Sequence, residues 1–246
     1  MAGRTFVTGD IHGDLSALLK IEQQLPKLDT GDTLVFVGDY VNRGPKSAQV
    51  IGHLRSLSHR TPAKVVTLRG NHEDAWLRVL AHGWPEFVLP VEHGCRETME
   101  SYLGKLATPL DDALQKVLLS GAFFPLDVVE WMRALPYYYE DEHAIYVHAG
   151  LAKEHGRFVH PSDTTQKTAL LWHRDHDFFH HYRGKRVIFG HTVTEYLPDE
   201  LSTYTPEDPS DMWAGPCTIG LDTGCGKGGF LTTLELPSMT VYESRN

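Results

Sequence analysis

The sequence predicts an α/β fold, because three strand–loop–helix units follow one another at the start of the chain. Short apolar strands are expected at Thr5–Gly9, Thr33–Gly38 and Lys64–Leu68, and each leads through a polar loop into a helical pattern. Strands connected in this way run parallel and bring their carboxyl ends to one edge of the sheet. The polar residues of the three loops are therefore expected to meet.

The helices of these units are predicted from apolar spacing and from their first turns. After the loop Asp10–Gly13, the leucines within Leu15–Leu25 lie near helical spacing. Pro45 stands where the first turn of the second helix tolerates a proline. The third helix is expected to run through Trp76–Leu80.

The alternation of strands and helices breaks at Gly83–Leu135, where we predict a helical cap inserted beside the site. Helices are expected there at Arg96–Leu103, Leu110–Leu119 and Leu126–Leu135, separated by glycine and proline. The whole chain, residues 1–246, is predicted to form a single domain around this insertion.

The C-terminal half predicts a second sheet. A helix is expected around Leu170–Tyr182, among strands that are short and rich in apolar residues. The predicted strands are Tyr137–Glu140, Ala144–Val147, Arg186–Phe189, Thr218–Asp222, Phe230–Leu236 and Met239–Glu243.

Composition limits the class of function. The chain carries 23 lysines and arginines against 32 aspartates and glutamates, a formal net charge of −9, which argues against general nucleic-acid binding. Its three cysteines form no CxxC pair, so neither a disulfide framework nor a zinc ribbon is predicted, and we expect a cytoplasmic location. No apolar run approaches the roughly 18 residues of a membrane-spanning helix, so no membrane partner is expected.

Carboxylate, imidazole and amide side chains follow five of the predicted strands, which indicates a metal site. The candidate ligands are Asp10, His12, Asp39, Asn71, His148 and His191. Mixed oxygen and nitrogen ligands suit divalent ions, of which we expect manganese first, with iron and zinc as alternatives. Six ligands are too many for one open catalytic metal, whereas two ions that share a bridging carboxylate would use them. Asp39, from the middle strand, is the expected bridge.

These loops resemble the motifs of the phosphoprotein phosphatase family of calcineurin-like metallophosphoesterases. The motifs are Gly9-Asp10-Ile11-His12-Gly13, Gly38-Asp39-Tyr40-Val41-Asn42-Arg43-Gly44, Gly70-Asn71-His72-Glu73, His148-Ala149-Gly150 and Gly190-His191. Their order and spacing most resemble those of the small bacterial and phage serine/threonine phosphatases. The resemblance implies a mixed two-sheet β-sandwich flanked by helices.

The resemblance also implies a role for each residue. One metal ion would be held by Asp10, His12 and Asp39, and the other by Asp39, Asn71, His148 and His191. A water that bridges the ions would be the nucleophile, and His72 would be the general acid. Arg43 and Arg69 would hold phosphate oxygens with their guanidinium forks, and Arg174 would be a third phosphate contact.

The chain departs from the protein phosphatases at Asn42, where they normally carry an aspartate that raises the pKa of the acid histidine. Asn42 is expected to accept a hydrogen bond from His72 through its amide oxygen, but it supplies no charge. His72 should then be protonated less often, which harms a serine leaving group more than a phosphate or nucleotide one. A neutral residue followed by Arg43-Gly44-Pro45 is similar to the symmetrical diadenosine tetraphosphate hydrolases, whereas Glu73 matches the protein-phosphatase form.

We therefore predict a dinuclear metal-dependent phosphatase of phosphate monoesters, with phosphoserine and phosphothreonine of proteins as the leading substrates. Two alternatives stay open. One is a hydrolase of nucleoside polyphosphates such as diadenosine tetraphosphate, and the other is a metal-binding regulatory module that has lost catalysis. The expected partner is a phosphorylated protein or a small phosphate or nucleotide.

Overall fold

A computed structural model describes residues 3–203, 208 and 210–245 of the chain. It has an α/β fold with two mixed sheets flanked by helices, as the sequence predicts. The predicted domain of residues 1–246 extends over residues 1, 2, 204–207, 209 and 246, which lie outside the described residues.

The strands of the described residues are short. They are β1 (Thr5–Thr8), β2 (Thr33–Phe36), β3 (Lys64–Thr67), β4 (Tyr138–Glu140), β5 (Ile145–Val147), β6 (Lys153–Glu154), β7 (Arg157–Phe158), β8 (Val187–Phe189), β9 (Trp213–Ala214), β10 (Thr218–Gly220), β11 (Thr232–Leu236) and β12 (Thr240–Glu243). The helices are α1 (Leu15–Gln24), α2 (Ser47–Leu57), α3 (Asn71–His82), α4 (Pro85–Val88), α5 (Cys95–Leu103), α6 (Asp112–Ser120), α7 (Leu126–Ala134), α8 (Ala169–Trp172) and α9 (His176–His181). Short 3₁₀ helices lie at Val91–His93, Thr194–Tyr196 and Asp199–Leu201.

Each of the two main sheets contains three parallel strands, at one side of the first sheet and at the centre of the second. The first has the order β12-β11-β1-β2-β3, in which β1, β2 and β3 are parallel and β11 and β12 antiparallel. The second has the order β4-β5-β8-β10-β9, in which β5, β8 and β10 are parallel and the outer strands antiparallel. Two parallel trios thus supply six strand ends from which loops can bring side chains together.

The sheets pack face to face through an apolar core. Val7 and Val35 of the first sheet meet Ile188 of the second there. Their neighbours Phe6 and Phe36 point to the opposite face and pack against the helices, because successive side chains of a strand alternate between faces. Both faces of the central strands are therefore buried.

The predicted single helix around Leu170–Tyr182 is wrong, because α8 and α9 are separate. The backbone becomes extended at His173, with φ −72° and ψ 140°. Asp175 then starts α9, since its carboxylate accepts a hydrogen bond from the Asp177 backbone N at 2.9 Å. Phe178 and Phe179 of α9 pack on the outer face of the second sheet.

The segment 83–135 is helical, as its sequence predicts, and contains α4 to α7. Asp111 caps α6 by accepting a hydrogen bond from the Leu114 backbone N at 2.8 Å, so this helix begins two residues later than the predicted Leu110. Its apolar residues join the core that also covers α2 and α3. The role of the segment as a cap stays a prediction. No helix among the described residues is both long and apolar enough to cross a membrane.

Candidate active site

Polar side chains follow the six parallel strands and gather at one place between the sheets. They are Asp10 and His12 after β1, Asp39 after β2, Asn71 and His72 after β3, His148 after β5, His191 after β8 and Asp222 after β10. All of them are buried, with at most 5% of each residue exposed. The structure therefore brings together every metal ligand that the sequence proposes.

Asp39 lies between the two proposed sets of ligands. Its Oδ2 lies 3.5 Å from His12 Nε2, and its Oδ1 lies 3.4 Å from His148 Nε2. On the first side, His12 Nε2 is also 3.9 Å from Asp10 Oδ2. On the second side, Asn71 Oδ1 is 2.8 Å from His148 Nε2 and 2.9 Å from His191 Nδ1. One carboxylate oxygen thus faces each set, as a bridging ligand requires.

The backbone fixes which nitrogen of two histidines faces Asp39. His12 Nδ1 lies 3.0 Å from the Val41 carbonyl oxygen, and His148 Nδ1 lies 3.0 Å from the Val37 carbonyl oxygen. A carbonyl oxygen can only accept, so both Nδ1 atoms carry the hydrogen and both Nε2 atoms carry a lone pair. This arrangement is the usual one behind metal-ligating histidines.

The donor set fits divalent cations. Lone pairs of His12 and His148 point at oxygens of Asp39, and no hydrogen lies between these acceptors. Buried Nε2 atoms of His12 and His191 have no hydrogen-bond partner in the described structure. Burial also lowers the pKa of His12 and His191 well below the usual value, which keeps them neutral as ligands must be. The ligand roles stay predictions that this geometry suits.

Glu73 holds the loop that carries Asp39. Its carboxylate accepts hydrogen bonds from the backbone N atoms of Asp39 at 3.0 Å, Tyr40 at 2.8 Å, Val41 at 3.3 Å and Gly70 at 3.0 Å. Burial raises the pKa of Glu73 to about 7. In the sequence Glu73 stands out only as a match to the protein-phosphatase motif, and nothing there indicates its role as the anchor of this loop.

Asn42 contacts His72 in the opposite sense to the one predicted. Its Oδ1 accepts hydrogen bonds from Trp76 Nε1 at 2.7 Å and from Thr98 Oγ1 at 2.8 Å. Because an indole nitrogen can only donate, this fixes the orientation of the amide. Asn42 Nδ2 therefore donates to His72 Nδ1 at 2.9 Å and to Cys95 Sγ at 3.3 Å.

The orientation of Asn42 sets the tautomer of His72. Since Nδ1 accepts a hydrogen bond, the hydrogen of the neutral ring lies on Nε2, 3.8 Å from Asp39 Oδ2. Burial, with the charge of Arg43 adding to it, lowers the pKa of His72 well below its usual value. His72 can thus offer a hydrogen bond toward the site, but its Nε2 is not a free metal ligand.

The three arginines proposed to contact phosphate differ in how many of their hydrogen-bond donors are already bonded within the chain. Arg43 makes no ion pair with any described residue, and its Nη1 is buried without a partner. Arg174 lies beside His191 and donates through Nη2 to the His191 carbonyl oxygen at 3.2 Å. Arg69 is more committed, since it donates to Tyr137 Oη at 2.9 Å and to the Arg133 carbonyl oxygen at 2.6 Å.

Asp222 is a buried carboxylate that sequence reasoning assigned no role. It is fully buried, and its Oδ2 accepts a hydrogen bond from Lys227 Nζ at 2.9 Å. Burial and the nearby charge of Asp10 raise its pKa well above the usual value. It follows a strand and lies two residues before Gly224, which is close to the pattern that identified the other residues.

A cleft of about 610 Å³ opens beside the ligands. Its lining includes Arg43, Arg174, His191, Tyr196 and Lys227. Most binding sites for small molecules have volumes of roughly 300–1,000 Å³, so a nucleotide-sized substrate can be accommodated next to the candidate metal site.

Comparisons with known sequences give one family and relatives that are named bis(5'-nucleosyl)-tetraphosphatases. A family model described as calcineurin-like phosphoesterase matches residues 3–195. The asymmetrical bis(5'-nucleosyl)-tetraphosphatase PrpE of Anoxybacillus flavithermus is 27% identical over 254 residues, which covers 95% of this chain and 90% of the relative. The symmetrical bis(5'-nucleosyl)-tetraphosphatase of Coxiella burnetii is 34% identical over 149 residues, which covers 60% of this chain and 42% of the relative.

Solved structures share the fold. The crystal structure of a candidate diadenosine tetraphosphatase matches with a TM-score of 0.60 at 22% identity and covers 99% of this chain and 93% of that chain. A protein serine/threonine phosphatase of Saccharomyces cerevisiae matches with a TM-score of 0.52 at 16% identity and covers 95% and 73%. At such identities the likeness concerns the fold alone.

Proposed function

The chain belongs to the calcineurin-like phosphoesterase family, and within it we propose a metal-dependent hydrolase of phosphoanhydride bonds in nucleoside polyphosphates such as diadenosine tetraphosphate. This proposal places the alternative from the sequence ahead of the serine/threonine phosphatase that the sequence analysis favoured. Both functions use the same candidate metal site, so the choice rests on how the leaving group is handled.

The hydrogen bond from Asn42 Nδ2 to His72 Nδ1 carries the proposal. A serine or threonine alkoxide leaves slowly unless an acid protonates it, and general acids contribute about 10²–10⁴-fold to such steps. His72 has no carboxylate at Nδ1 that would accept a hydrogen there and support an imidazolium. A nucleotide leaves as a stabilised phosphate anion, for which the Nε2–H hydrogen bond of His72 is sufficient.

The named relatives support the same substrate class. Bis(5'-nucleosyl)-tetraphosphatases match this chain over 95% of its length in one case and over 60% in the other. One of them is named asymmetrical and the other symmetrical, so the relatives do not assign the bond that is cleaved. Product analysis would distinguish ATP and AMP from two molecules of ADP.

In the proposed function, one group of residues would bind the metal ions and another would bind the phosphate chain. We propose that the site holds two divalent ions and that both are manganese. Their ligands would be Asp10, His12, Asp39, Asn71, His148 and His191. Such ions lower the pKa of water and stabilise negative charge on phosphoryl oxygens. Arg43 and Arg174 would orient the phosphate chain, since both line the cleft beside His191. Arg69 would contribute less, because two of its donors are already used.

A substrate panel tests the proposal. Purified protein loaded with manganese, iron or zinc is assayed with diadenosine tetraphosphate, a phosphoserine peptide and p-nitrophenyl phosphate. We expect kcat/KM for diadenosine tetraphosphate to exceed that for the peptide by about 100-fold or more. A preference for the peptide would restore the protein-phosphatase prediction. No metal-dependent turnover of any substrate would instead favour the regulatory module.

A further inference from the structure

The cleft beside His191 combines features that the metal site does not use. Tyr196 and Lys227 line the same cleft as Arg43, Arg174 and His191. Tyr196 lies five residues after His191, so their Cα atoms are at most about 18 Å apart. A ligand held at the metal site can therefore extend along the cleft toward Tyr196.

The charges of the cleft favour a polyphosphate. Among the described residues, its lining includes the cations Arg43, Arg174 and Lys227 and one carboxylate, that of Glu195. Lys227 Nζ uses one of its donors on Asp222 at 2.9 Å, and an ammonium group has two more. This concentration of positive charge lies in a chain whose formal net charge is −9.

Tyr196 presents an aromatic ring in the lining of this cleft. It is 73% exposed, and its ring stacks on no other ring of the described residues. A purine or pyrimidine base is a flat surface that stacks well on an exposed aromatic ring. The position of Tyr196 at a cationic cleft is thus suited to a base whose phosphates lie on the cations.

A second cleft nearby differs in its charge and in its aromatic residues. It has a volume of about 550 Å³ and shares Arg43 and Lys227, but it is also lined by Glu92 and Glu97. These carboxylates would repel a phosphate chain, and no tyrosine or tryptophan of the part of the chain that the structure describes lines this cleft. The comparison favours the cleft that contains Tyr196.

We infer that Tyr196 and Lys227 form a nucleoside diphosphate subsite, in which the base stacks on Tyr196 and the phosphates contact Lys227 and Arg174. The inference rests on the proposed function for its substrate class. It adds a specific claim, that part of the binding free energy of the substrate comes from its base and is supplied by one side chain outside the metal site.

A matched pair of uncleavable ligands tests the subsite without turnover. Adenosine 5'-(α,β-methylene)diphosphate and methylenediphosphonate differ only in the adenosine group. Their affinities are measured by calorimetry on the metal-loaded protein with metal in excess. For the wild type we expect the nucleotide to bind about tenfold or more tightly than the diphosphonate, as base stacking on an aromatic ring predicts.

Three variants locate the effect. Tyr196→Ala should remove most of this tenfold difference, while Tyr196→Phe should keep it because the ring remains. Lys227→Gln, which can still donate to Asp222, should weaken both ligands equally. Leu126→Ala, at a residue that is 70% exposed on α7, is the surface control.

Each outcome decides the inference separately from the proposed function. Equal affinities of the two ligands for the wild type, or an undiminished preference in Tyr196→Ala, would overturn the subsite even if diadenosine tetraphosphate is cleaved. A Tyr196-dependent preference would support the subsite even if the substrate panel showed another preferred substrate.

Discussion

Buried aspartates lie at both ends of the three parallel strands β1, β2 and β3, and their surroundings differ. At the amino end, Asp32 accepts hydrogen bonds from Arg4 Nη2 at 2.6 Å, from Arg4 Nε at 3.0 Å and from the Asp29 backbone N at 2.9 Å. At the carboxyl end, Asp39 accepts one from the His72 backbone N at 3.0 Å and makes no ion pair with a described lysine or arginine.

The difference shows how one residue type serves two purposes. Charge at the amino end is neutralised by donors within the chain, so it adds to stability. Charge at the carboxyl end is shared among the buried carboxyl groups of Asp10, Asp39 and Glu73, with Asp222 joining them from the end of β10. Among these four, only Asp222 makes an ion pair with a lysine or arginine of the described chain. Burial raises the pKa of Asp10 to about 6, which is the cost of keeping negative charge available for a ligand.

The largest effect is expected for Asp39→Asn. Loss of the carboxylate between the two ligand sets should lower kcat about a thousandfold or more, while the metal-free protein should become more stable by about 1 kcal/mol, because one buried charge is removed. Activity assays and urea unfolding of metal-free protein measure both. Asp127→Asn, at a side chain that is 62% exposed, is the matched control. An Asp39→Asn protein that is less stable than the wild type but still active would contradict the view that Asp39 serves the site and not the stability of the fold.

Glu73→Gln should act through the loop rather than through the substrate. A glutamine can accept from some of the four backbone N–H groups, but its amide nitrogen cannot, so the loop of Asp39 loses part of its support. We expect metal affinity to fall about 10–100-fold, as for other groups that orient metal ligands. Metal titration measures this affinity, and excess metal should restore much of the activity. Failure of excess metal to do so would show a different role.

Asn42→Asp adds a carboxylate at the carboxyl ends of the parallel strands and should change the relative turnover of different phosphate esters. The new group can accept hydrogen bonds from Trp76, Thr98 and a protonated His72, so it should raise the pKa of His72. Turnover of an alkyl phosphate should rise about tenfold more than turnover of p-nitrophenyl phosphate, whose leaving group needs little acid. Equal changes for the two substrates would refute the account of His72.

Asp32→Asn should have the smallest effect, on stability and not on activity. Burial raises the pKa of Asp32, but hydrogen bonds from Arg4 and the Asp29 backbone outweigh burial and hold the pKa below its usual value. We expect a loss of about 1–2 kcal/mol at pH 7.

The pH dependence of this loss has a definite sign. A carboxylate whose pKa is lowered by folding stabilises the protein above its unfolded pKa of roughly 3.9. The difference between wild type and Asp32→Asn should thus be complete at pH 7 and shrink as the pH falls below about 4. Urea unfolding across this range measures it, and a difference that grows at low pH would contradict the assignment.

Much of the fold and the position of the site could be read from the sequence, because both depend on local patterns. Apolar runs followed by Asp, Asn or His beside glycine mark strand ends wherever they occur, and parallel connection brings those ends together. Asp222 also follows a predicted strand, but nothing in the sequence alone assigned it a role in the site.

What the sequence could not provide is contact between distant residues. The orientation of Asn42 depends on Thr98, which lies 56 residues away on α5, and on the indole of Trp76. Neither pairing has a sequence period or motif that would reveal it. Likewise, Tyr196 and Lys227 share a cleft only because β10 lies beside β8 in the second sheet.

Several residues of the site adopt a backbone conformation that side chains disfavour. Among the described residues, His12, Asp39, Asn42, Arg43 and His191 have φ between 47° and 73°, a region that costs about 1–2 kcal/mol for a residue with a Cβ atom. Total stabilities of proteins are only about 5–15 kcal/mol. The five residues together therefore carry a conformational cost of the same order as a protein's whole stability, and the packing around the site must offset it.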